Sequence, residues 1–179
     1  MSTTPASSHP QPPAEYLDGD LAAFADSIIL TKASREPDWD TLSFQTKAGP
    51  QFARAQIRYV GSGATGNHDD DNRIIQSKGF TFSNMLLPPG GEGPEHTHHD
   101  AEEAFFVLEG EIEVGIHRAG EVVKRTLGYR DMAVVPAGVA RSLKNVGDTD
   151  ALFAVIIGAT KPQVPTYPET SAVHGVTRD

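Results

Sequence analysis

The stretch Gly90-Gly-Glu-Gly-Pro-Glu-His96-Thr-His98-His-Asp-Ala-Glu-Glu103-Ala-Phe-Phe-Val-Leu-Glu-Gly110 decides how this chain is read, because His96, His98 and Glu103 place three metal-ligating side chains within eight residues. In an extended strand residues i and i+2 point to the same face, so His96 and His98 can aim their imidazoles at one point, and a turn then returns Glu103 toward them. Two imidazoles and one carboxylate on one side of an ion make the facial arrangement associated with non-haem Fe(II). The same set also suits Mn(II), Ni(II) or Zn(II).

On both sides of this stretch the pattern is one of short strands. Gln51 to Val60, Phe80 to Leu87, Glu103–Leu108, Ile112–His117, Glu121–Leu127, Asp131–Val135, Val139–Val146 and Ala151–Gly158 are each bounded by Gly, Pro, Asp or Asn. Strands at this spacing predict an all-β antiparallel sandwich or barrel. Alternation puts Glu103 on the face of Phe105 and Val107, which turns its carboxylate toward the interior. The same rule sends Ile112, Val114 and Ile116 to the core and leaves His117 on the surface. Phe106 and Leu108, and one face of Ala151–Gly158, then need a cover, for which a homodimer is the expectation. Residues 1–15 are rich in Ser, Thr and Pro and read as a disordered tail. Residues 16–79 read as an N-terminal arm and loop with a short helix near Leu21 and Phe24, residues 80–160 as the barrel core, and residues 161–179 as an extended C-terminal tail.

Composition narrows the chemistry. With 15 Lys and Arg against 24 Asp and Glu the formal charge is -9, which argues against a nucleic-acid or anionic-membrane surface and leaves small molecules and protein partners. There is no cysteine, so a metal must be held by nitrogen and oxygen, and zinc ribbons and iron–sulfur clusters are excluded. The first fifteen residues have no basic n-region or apolar h-region and no apolar run reaches spanning length, so a soluble cytoplasmic protein is expected.

The quoted stretch resembles the first motif of the cupin superfamily, G-x5-H-x-H-x3–4-E-x6-G, at every position: Gly90, His96, His98, Glu103 and Gly110. The resemblance implies a double-stranded β-helix, or jelly-roll barrel, with those three side chains holding a divalent metal. The second motif, G-x5-P-x-G-x2-H-x3-N, is matched by Pro136, Gly138 and Asn145 only. Arg130 stands in its glycine position and Arg141 in its histidine position, where the resemblance would put a fourth ligand. A guanidinium has no lone pair for a metal.

Val139, Arg141, Leu143 and Asn145 share one parity, so Arg141 is expected to point inward, where it needs an anion. Two partners are open. Pairing with Glu103 would make a metal-poor or non-catalytic ligand-binding cupin, whereas a free Arg141 would clamp a substrate carboxylate or phenolate beside the metal. The second option gives a metal-dependent enzyme for a small anionic organic substrate, with Arg141 in a catalytic, substrate-positioning role. Up to three open positions on the ion favour a dioxygenase-like oxidation, with Fe(II) first among the metals, over a cyclase, isomerase, lyase or decarboxylase. Gly61-Ser-Gly63-Ala-Thr-Gly66 spells GxGxxG, but Asp69-Asp70-Asp71 follows where a dinucleotide's pyrophosphate would need a helix N-terminus. It reads as a loop at the barrel mouth. Trp39 and Tyr59 are expected in the core.

Overall fold

Nine strands form among the described residues of the computed structural model, which are 10–66 and 74–178: β1 Ala55–Val60, β2 Thr81–Leu87, β3 Glu92–His96, β4 Glu103–Glu109, β5 Ile112–Arg118, β6 Glu121–Leu127, β7 Met132–Val135, β8 Ala140–Asn145 and β9 Ala151–Ile157. All named pairs are antiparallel, and the two sheets run β1-β2-β9-β4-β7 and β3-β8-β5-β6. The chain crosses repeatedly between the sheets, which makes the architecture an all-β jelly-roll barrel.

Period-two alternation builds the core. Thr81, Ser83, Met85 and Leu87 of β2 are buried, as are Glu103, Phe105 and Val107 of β4 and Ile112 and Val114 of β5. Phe105 and Phe153 meet edge-on with centroids 6.1 Å apart. Burying each such ring contributes about 1.5–3 kcal/mol. The alternation fails at Ile116, which is 38% exposed although expected in the core. Gly115 precedes it with no side chain to pack, and the β5–β6 ribbon runs out into solvent, with Val122 and Val123 exposed as well. His117, in contrast, is half-buried, its Nε2 2.8 Å from Ser142 Oγ and its Nδ1 3.5 Å from Glu95.

The barrel carries extensions at both ends. Helix α1 (Ala14–Asp18) starts inside the stretch expected to be a disordered tail, whose residues 1–9 lie outside the described ones. Helix α2 (Leu21–Ile28) is capped by Asp20, whose side chain accepts from the Ala22 amide at 2.8 Å. Phe44 and Phe52 from the arm are buried, but Trp39 is 44% exposed, contrary to the core position expected of it. Asp38 fastens the arm to β1. It exchanges two backbone hydrogen bonds with Gln56, and its carboxylate lies 2.9 Å from Arg58 Nη2. Pro50 opens a 3-10 turn over Pro50–Phe52, so β1 starts later than the expected Gln51.

After β9 the chain runs back across β3. Thr97 and Thr166 exchange two backbone hydrogen bonds of 2.9 and 3.0 Å, and the Gln163 amide donates to Asp100. Among the described residues no helix is long and apolar enough to cross a membrane.

Candidate metal centre

His96 ends β3 in one sheet and Glu103 begins β4 in the other, so the two motif positions face each other across the barrel interior. His98 follows the Thr97 bridge, and its carbonyl accepts from the Gly138 amide at 2.7 Å. The imidazoles of His96 and His98 stand 5.2 Å apart and nearly perpendicular. His96 Nε2 lies 3.7 Å from Glu103 Oε2, and His98 Nε2 lies 3.6 Å from Glu103 Oε1.

These separations are too long for hydrogen bonds. Neighbouring ligand atoms on an ion with bonds of about 2.1 Å lie roughly 3 to 3.4 Å apart, so a small inward shift of the three side chains would seat one. His96 Nδ1 donates to the Pro94 carbonyl at 2.8 Å, which puts the ring proton on Nδ1 and leaves the Nε2 lone pair facing the site. His98 Nδ1 is buried without a hydrogen-bond partner. The donor set, two imidazoles and a carboxylate with ligand atoms all within 4.8 Å, fits a divalent ion.

Electrostatics favour the metal-ready protonation states. Burial lowers the pKa of His96, Glu103 opposes that effect, and Arg141 and His98 lower it further, so the net direction is down. Burial acts to raise Glu103, but the two imidazoles outweigh it and hold the carboxyl well below its ordinary value.

Arg141 sits on β8 directly opposite His96, is 0% exposed and points inward as its parity predicts. Its Nε and Nη2 both donate to Glu103 Oε2, at 3.0 and 2.9 Å, and Nη1 donates to the Val139 carbonyl at 3.0 Å. Of the two partners open to it, the geometry therefore gives Glu103. Glu103 Oε1 stays turned toward His98. The other second-motif residues do structural work. Asn145 Nδ2 donates to the Leu87 and Thr149 carbonyls, each at 2.8 Å, and Gly138 adopts φ 81°.

A cavity of 90 Å³ opens beside this cluster, walled by Met85, Phe105, Phe153, Val155 and Ile157 and lined also by Arg54, Gln56, Tyr167 and Arg178. Arg141 does not line it. Ala64 and Thr65 of the GxGxxG loop do, and no helix begins between Gly61 and Gly66; His68 and Asp69–Asp71 fall in residues 67–73, outside the described ones. The sequence reading missed Arg54 and Gln56. They alternate with Ala55 and share a face with Arg58, a polar parity that reads by default as a solvated strand face.

A family model described as "Cupin domain" matches residues 83–157. Germin-like protein 5-1 of Oryza sativa subsp. japonica is 36% identical over 106 residues, 59% of this chain and 47% of that protein. Germin-like protein subfamily 1 member 7 of Arabidopsis thaliana is 29% identical over 139 residues, 75% of this chain and 61% of that protein. The chain spans about half the length of several germin-like proteins it matches. Among solved structures, an oxalate oxidase aligns over 92% of this chain and 72% of its own with TM-score 0.57 and 21% identity. An oxalate oxidase in complex with the substrate analogue glycolate aligns over 86% and 67% with TM-score 0.55 and 23% identity. At these identities the structural likeness concerns the fold.

Proposed function

Because this chain belongs to the cupin superfamily, we propose that it is a metal-dependent enzyme acting on a small anionic organic molecule, with His96, His98 and Glu103 as the metal ligands. The observation that carries this reading is the convergence of those three side chains, His98 and Glu103 buried and His96 half-buried, with the His96 lone pair fixed toward Glu103. When bound, the divalent ion would supply Lewis acidity, and as Fe(II) the redox chemistry of a dioxygenase-like oxidation. Arg141 donates two hydrogen bonds to Glu103 Oε2 and orients the carboxylate from behind, which gives it a supporting role rather than one against substrate.

Elemental analysis of protein purified without chelator, followed by titration with Fe(II), Mn(II), Ni(II) and Zn(II), tests the reading. One ion per chain, lost in His96→Ala, is the expected result; no uptake of any of the four refutes it. The pairing of Arg141 with Glu103 favours a second reading, a ligand-binding cupin without turnover. Metal uptake with no oxygen consumption across a panel of small carboxylates would select it.

We further infer a homodimer formed through the outer face of the five-stranded sheet. Phe106, Leu108, Leu152 and Ile156 are only half-buried there, and Met132 and Val134 are 52% and 54% exposed. Asn84 on the same face has a buried side-chain oxygen with no hydrogen-bond partner.

A further inference from the structure

The cavity beside the metal cluster is cationic in a chain that is acidic overall. Arg54 and Arg178 both line it, and among its lining residues Glu103 alone is acidic. That carboxylate is already paired with Arg141. Two guanidiniums therefore face the chamber against a single carboxylate, which is hydrogen-bonded to Arg141 and acts on Arg54 only through space, and a divalent ion would add to the imbalance.

Arg54 is the better placed of the two. Its hydrogen bonds go to Gln45 Oε1 and to the carbonyls of Phe52 and Glu92, all neutral acceptors and all reached from Nη1. Nη2 and Nε make no hydrogen bond among the described residues, so one edge of the fork is free. Burial pushes its pKa down to about 10, which leaves it charged at neutral pH and in need of an anion. Gln45 in turn donates to the Tyr167 hydroxyl at 2.8 Å, which braces Arg54 from the C-terminal segment. Arg178 is exposed and is held by the Thr65 carbonyl and the face of Phe44.

Gln56 supplies a second, independent observation. It is 5% exposed and lines the cavity, and its Nε2 lies 3.2 Å from Ser83 Oγ while Oε1 has no partner. Turning the amide over would exchange which atom is left without one. Most of the remaining wall is apolar, with Thr65, Ser83, Tyr167 and the two histidines adding polar groups, and its 90 Å³ suits a small molecule.

We propose that Arg54 is the anion anchor of the chamber and receives the carboxylate of a short-chain acid bearing a second polar group, which hydrogen-bonds Gln56 while the carbon body packs on Met85, Phe105 and Phe153. This rests on the reading of the chamber as a substrate site and transfers the anchoring role from Arg141 to Arg54. The acid's carboxylate takes the free Nη2–Nε edge bidentately, a geometry a lysine cannot reproduce.

Calorimetric titration of the full chain with 3-hydroxybutyrate and with its neutral amide, in chelator-treated and metal-loaded protein, tests this. The carboxylate should bind at least tenfold tighter than the amide in both forms. Arg54→Met and Gln56→Glu should each weaken it at least tenfold while metal uptake is retained. Equal binding of acid and amide, binding of neither, or an Arg54→Met variant that binds the acid as the wild type does would overturn the assignment. Should Arg54→Met fail to fold in a thermal melt, the acid–amide comparison and Gln56→Glu decide. Arg54-dependent acid binding in a chain that takes up no metal would sink the enzyme reading and leave the anchor standing; metal uptake with no acid binding would do the reverse.

Discussion

At the residue scale, the departure from the second cupin motif at Arg141 is compensated chemically within 3.0 Å, because the guanidinium meets the carboxylate that the missing histidine would have joined on the metal. Removing that partner strands a buried carboxylate. Arg141→Met should cost about 3–5 kcal/mol in urea denaturation of the metal-free protein, and saturating metal should restore part of it. Arg141→His, by returning a donor nitrogen opposite His96, should tighten metal binding about tenfold or more in competition with a chelator. The inward direction of Arg141 was legible from parity alone. Which anion it meets was not, since that depends on how far apart the two sheets hold β8 and β4. Arg54 was illegible for a different reason: its neighbours Gln45 and Tyr167 are 122 residues apart and meet only in the folded chain.

At the element scale, the sequence located strands well where turn residues bound them, with Glu121–Leu127, which lacks alternation, found to the residue between Gly120 and Gly128. It expected His96 and His98 on one extended strand without bounds, since Gly93 and Pro94 interrupt any alternation; pairing with β8 defines β3 as Glu92–His96 and leaves His98 beyond its end. Turns were legible where they need glycine. Gly110 adopts φ 73°, and a Cβ there would come within 2.9 Å of the Asp150 carbonyl. Two turns carry side chains in the same left-handed region. Arg130, in the motif's glycine position, has φ 69°, and Ala119 has φ 49° in the two-residue Ala119–Gly120 loop between β5 and β6. Both strain the backbone by roughly 1 kcal/mol. Arg130→Gly and Ala119→Asn should therefore each raise stability by about 0.5–1 kcal/mol, read as a higher urea midpoint at unchanged slope.

At the scale of the whole molecule, the arm, barrel and C-terminal segment are joined by a few polar contacts, and one of them makes stability depend on pH. Burial acts to raise the Asp38 carboxyl, but hydrogen bonds from Thr41 and Asp40 and the Arg58 charge lower it overall. A carboxyl lowered by folding stabilises above the unfolded value of about 3.9 and ceases to do so as pH falls through its folded value. Asp38→Asn should thus lower the urea midpoint at pH 7 and have little effect near pH 2. Association is the other property of this scale. Val134→Lys on the outer sheet face should turn a dimer into a monomer in light scattering at micromolar concentration, and a wild type that is already monomeric would refute the interface.

The Thr97–Thr166 bridge clamps the C-terminal segment to the one residue that lies between the two histidines. Tension on that segment is delivered midway between both imidazoles, so it works as a lever whose fulcrum is the site itself. Ion release should then keep time with lifting of the lever, and Thr166→Pro, which deletes the amide donating to Thr97 at 3.0 Å, should speed loss of metal to a chelator more than it weakens equilibrium affinity.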